Sequence, residues 1–118
     1  MKSYINGIAC ISVQPTFLTP YFLDEALKVT PEEVCYAQEP SYKEYIAPNA
    51  SRRMAKGVKM GIATATEALK EAHITTPDAI LVGTGMGCLQ DSEKFLTALI
   101  NDNEEHLTPT AFIQSTHN

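Results

Sequence analysis

Three thiols, three imidazoles and one glycine-rich turn are the parts of this chain that could do chemistry. Cys10, Cys35 and Cys88 are far apart and odd in number, so they do not form a disulfide framework. They fit a reducing cytoplasm. Cys88 closes the string "GTGMGC" at the expected start of a helix. A helix N-terminus favours a thiolate, but a small, buried, apolar Cys is the commoner use of the residue. No His stands close enough in sequence to support a Cys nucleophile. His73 ends an expected helix, where a cation suits the dipole, and His106 falls in a polar loop. None of the histidines, His117 included, has a partner at metal-binding spacing, so no metal site is expected. Glu104 and Glu105 lie among Asn and Asp and read as a solvated loop.

The "GTGMGC" string sits between an apolar run and a helical pattern, as a dinucleotide fingerprint would. The fingerprint wants a third glycine three places after the second. Cys88 occupies that place, and Gly87 is one place early. No second strand ending in an acidic residue follows at the required distance. No cofactor is expected on that ground. Gly83, Gly85 and Gly87 then read as a tight strand-to-helix turn that uses glycine for positive φ.

The elements that must position these residues read as an α/β pattern. "SYINGIACISV", about Tyr4 to Val13, is a buried strand by its Ile and Val content. A Pro-rich stretch follows, about 15–50, with Pro15, Pro20, Pro31, Pro40 and Pro48. Prolines at that density leave no long element. Its aromatics are too many for a linker, so it reads as an ordered, irregular excursion, with short helical turns around Pro31–Cys35. "SRRMAKGVKMGIATATEALKEAHI" is the clearest element. Met54, Val58, Ile62, Ala65, Leu69 and Ala72 make one apolar helical stripe, and Ser51 is its expected N-cap. Gly57, Gly61 and several alanines keep this helix thin. Interior glycines cost up to about 1 kcal/mol against Ala, so they point to close approach of a neighbour. Ala79–Val82 reads as a central parallel strand, covered on both faces. "LQDSEKFLTALINDN" is a second helix, with Leu89, Phe95, Leu96, Leu99 and Ile100 on its pattern. "PTAFIQS" reads as a short extended segment.

At 118 residues the chain is one ordinary domain. Its net charge of -5 argues against nucleic acid. The one basic doublet, Arg52–Arg53, is followed only by Lys56 and Lys59. No apolar run reaches the length of a membrane span. The opening "MKSYINGIACISV" is faintly like a lipoprotein signal, but Asn6 interrupts an already short apolar run. A first strand is the better reading.

Four pieces together resemble the start of a β-ketoacyl synthase. They are "ING" in the first strand, the "SRRMAKGVKMGIATATEALKEA" helix, "ILVGTGMGC" and "PTAFIQSTHN". The resemblance covers almost the whole chain apart from the Pro-rich stretch, and the "STHN" wording is closest to the divergent aryl-polyene and pigment subgroup. It implies the N-terminal part of a thiolase-like fold: an incomplete mixed sheet with packed helices over 1–118. It implies decarboxylative Claisen condensation of an acyl-thioester with a malonyl unit on an acyl carrier protein. The family's nucleophilic Cys and its His and Lys residues would lie beyond Asn118, so the piece itself is expected to be inactive. A truncated sheet of this kind is expected to self-associate as a homo-oligomer. None of Cys10, Cys35 and Cys88 inherits the nucleophile's role. Met86, between the glycines of the turn, inherits the gate of the acyl pocket. Ala111 and Ser115 inherit places on its wall. Two other classes of function stay open: a non-catalytic, chain-length-factor-like partner subunit and a small nucleotide-binding α/β domain.

Overall fold

The computed structural model describes residues 2–20, 32, 34–102, 105 and 109–116. Among them the architecture is helical. A short 3-10 turn, Tyr42–Glu44, leads into α1, Pro48–Ser51. The long helix α2, Lys56–Glu71, follows, and then α3, Leu89–Asn101, and α4, Pro109–Ser115. No β-strand occurs among the described residues. The expected α/β class and its mixed sheet are therefore overturned. The segment Tyr4–Val13 crosses the carboxyl end of α2 without a strand partner. Its Ile8 N–H donates instead to the Glu71 carboxylate Oε2, at 2.6 Å. Ala79–Val82 carries no strand assignment, and Ile80, Leu81 and Val82 are 76, 96 and 86% exposed. That segment is not the doubly covered central strand its composition suggested. "PTAFIQS" is the helix α4, with Pro109 as its first residue. Proline is well suited to that place, because its missing N–H is an orphan there in any case.

The helix expected from Ser51 is broken. Ser51 closes α1, and residues 52–55 step out of the helix before α2 begins after Ala55. Tighter three-residue turns fill the gap, with Arg53 N–H on the Ala50 carbonyl at 3.0 Å and Met54 N–H on that of Ser51 at 3.4 Å. The stripe of α2 is half-covered at Val58, Ile62, Leu69 and Ala72, and Ala65 is exposed. Ala63 is wholly buried. Thr64 and Thr66 return their hydroxyls to the Met60 and Ile62 carbonyls one turn back, at 2.9 and 2.8 Å. Hydroxyl side chains are tolerated inside a helix in this way.

The close approach expected at the interior glycines of α2 does not occur there. A Cβ at Gly57 or Gly61 would meet nothing within 4 Å. Both face open space. Gly7, by contrast, lies directly on the backbone of α2, where a Cβ would drive into the Ala68 carbonyl and crowd the Ala72 nitrogen. The alanines at 68 and 72 are the small residues that admit it. Gly61→Ala should therefore stabilise the chain, by up to about 1 kcal/mol. A thermal melt that shows Gly61→Ala destabilising would place an unseen neighbour against that face.

The carboxyl end of α2 is closed by a two-bond cap. His73 takes a left-handed φ of 55°. Its N–H reaches the Lys70 carbonyl at 3.1 Å, and the Ile74 N–H reaches that of Leu69 at 3.0 Å. This is the Schellman arrangement, normally built on glycine. His73 thus sits at the helix end its position suggested, in a conformation that side chains rarely adopt.

The Pro-rich stretch meets this frame at several points. Gln38 N–H bonds the Ser12 carbonyl at 2.8 Å, and its side chain bonds that of Val13 at 3.0 Å. Phe17 packs edge-on against Tyr45, with ring centroids 6.0 Å apart. Lys70 of α2 lies over the Tyr45 ring, 5.3 Å from its centroid. The turns expected around Pro31–Cys35 fall partly outside the described residues, and Val34 and Cys35 carry no regular structure. No helix among the described residues is long and apolar enough to cross a membrane.

Candidate functional site

The glycine turn and α4 come together at the amino end of α3. Cys88 stands in the N-cap position of α3, and its carbonyl accepts the Asp91 and Ser92 N–H groups at 3.0 and 2.9 Å. Its side chain is buried, and the thiol lies 3.3 Å from the Thr116 carbonyl as a donor. One turn along α3, the Ser92 hydroxyl lies within hydrogen-bond distance of both the Cys88 carbonyl and the Ser115 carbonyl, 3.1 Å from each. Further along, Phe95 and Phe112 meet edge to face at 5.7 Å. Two polar contacts and one aromatic pair thus tie α3 to α4. A further tether, from the Gln114 amide to the Arg52 carbonyl at 3.2 Å, joins α4 to the step before α2.

The turn itself needs only one of its glycines for conformation. Gly87 has φ 56°, while Gly83 and Gly85 have no positive φ and face open space. Thr84 organises the loop, its hydroxyl accepting the Gly87 N–H at 2.9 Å. Met86 projects at the outer edge of the turn and is 72% exposed. Ala111 and Ser115 are half-buried on α4. The Ser115 hydroxyl donates to the Phe112 carbonyl at 2.7 Å. It is spent inside its own helix. Of the three residues singled out for a pocket wall, Ser115 is joined through its carbonyl to α3, and Met86 lies two residues from the Cys88 contact. Ala111 shares α4 with Ser115.

Thr84, Ser92 and Thr116 hold this junction, and none was singled out from sequence. Thr84 was readable, since Ser and Thr hydroxyls that bond nearby backbone N–H groups are common in turns. Ser92 and Thr116 were not, because their partners come from across the helix pair.

The junction's one thiol is enclosed and engaged as a donor. His73 lies at the far end of α2, and His106 and His117 are outside the described residues. No group of His, Cys, Asp and Glu that could hold a metal occurs among the described residues. The perturbed ionisations belong to the frame around α2 instead. The Lys56 ammonium, 2.7 Å from Glu39, holds that carboxyl below its ordinary range, and the Tyr42 hydroxyl adds to this at 2.9 Å. Removal from water, with the Glu39 charge beside it, pushes the Tyr42 phenol well up. Lys70 at 2.6 Å, and then Tyr45, keep the Glu67 carboxyl low. Tyr45 in turn is pushed up to about 12, by burial first and by Glu67 second. A groove of about 350 Å³ lies beside this cluster, between Ile8–Cys10, Phe17 and the carboxylates of Glu67 and Glu71. None of Met86, Ala111 and Ser115 lines it.

The described residues thus define a helical scaffold with a buried thiol at the junction of α3 and α4. No family model, no curated protein and no solved structure matches the chain.

Proposed function

We propose that the chain supplies the non-nucleophilic, pocket-forming part of a β-ketoacyl synthase-like condensing enzyme. The complete enzyme would join an acyl-thioester to a malonyl unit carried by an acyl carrier protein, with loss of carbon dioxide. One observation carries the reading. The two motifs on which the resemblance rests most heavily, "GTGMGC" and "PTAFIQST", flank α3 in the sequence and are tied together through Cys88–Thr116 and Ser92–Ser115. A wall for an acyl chain needs apolar, adaptable side chains on a fixed backbone. Met86 is a long, flexible thioether on a turn fixed by Thr84 and Gly87. Ala111 is a small, half-buried side chain on α4.

The same geometry supports assigning no nucleophile to this chain. An acyl-enzyme needs an accessible, activated thiolate with a base at hand. Cys88 is buried and donates its proton to a carbonyl. Cys35 is exposed and lies outside the helices. Incubation with acyl-thioesters followed by intact-mass measurement should show no stoichiometric acyl adduct. Saturable acylation of Cys88 would overturn the assignment and make the thiol a nucleophile.

A further inference from the structure

We draw no further inference here: the strongest candidate, the extended apolar run Ile80–Val82 between α2 and α3, is exposed along its whole length, but nothing in the structure shows what covers it.

Discussion

Gly7→Ala is expected to destabilise the chain by about 1–3 kcal/mol, the usual range for forcing atoms into a filled contact. The atoms that a new methyl group would meet are the Ala68 carbonyl and the Ala72 nitrogen. Both are helix backbone and cannot swing aside as a side-chain tip could. The segment must then lift from α2. Its neighbour Ile8 would lose the bond to Glu71 as it lifts. Urea melts of Gly7→Ala, with Gly61→Ala as the control on an open face of the same helix, measure the effect directly. Equal stabilities for Gly7→Ala and the parent chain would mean that the amino segment does not rest on α2.

Alkaline pH is expected to loosen the same region. A phenol with a raised pKa gives up its proton later in the folded state than in the unfolded chain. The stability that this difference contributes is intact below the unfolded value and is lost as pH climbs through the folded one. For Tyr45 that window runs from 10.0 to about 12. Tyr42 is raised too and acts in the same direction. Ionised Tyr45 would confront the Glu67 carboxylate, and the frame joining the Pro-rich stretch to α2 would open. Tyr45→Phe keeps the ring against Phe17 and beneath Lys70 but removes the proton. It should move alkaline unfolding, followed by circular dichroism, to higher pH. An unchanged alkaline midpoint in both Tyr45→Phe and Tyr42→Phe would show that neither phenol is coupled to folding. The acid side should respond less. Glu39 is held below its ordinary range by Lys56, so its contribution is present above pH 4.5 and fades as pH falls. The pair is partly exposed to solvent, which limits its worth.

Local periodicity made the two long helices legible, and contacts between distant segments decided most of the rest. The three-and-four spacing of Val58, Ile62 and Leu69, and of Leu89, Leu96 and Leu99, is a property of each stretch alone, and α2 and α3 follow it. Their starts were harder to read. Ser51 had the right chemistry for a cap, but Pro48 three residues earlier starts its own short helix, and the chain must turn before α2. The apolar runs Tyr4–Val13 and Ala79–Val82 misled for a different reason. Ile and Val content reports a demand for burial, not the presence of a partner strand. In the fold the first run spends Gly7 and Ile8 on α2, and the second remains exposed. "PTAFIQS" read as extended from its sequence, but it is the helix α4. Its leading proline and the partnership of Phe112 with Phe95 accompany a helix. The interior glycines of α2 pointed to a close contact on their own helix, but Gly57 and Gly61 face open space, and the glycine in close contact is Gly7 on the visiting segment. Of the site, Met86, Ala111 and Ser115 were named from resemblance alone. The thiol and hydroxyl contacts that tie their elements together needed three-dimensional placement.

The central claim is that the turn carrying Met86 and the helix carrying Ala111 and Ser115 form one wall of an acyl site. Photolabelling tests it most directly. The probe is an acyl-pantetheine thioester with a photoreactive group on its aliphatic chain, and labelled peptides are mapped by mass spectrometry with the unlabelled thioester as competitor. The account predicts competed adducts on Met86 and within residues 111–115, with Met86→Ala lowering the yield at α4 and leaving the fold intact by circular dichroism. Competed labelling confined to the groove at Phe17 and Glu71, or no competed labelling anywhere, would contradict it.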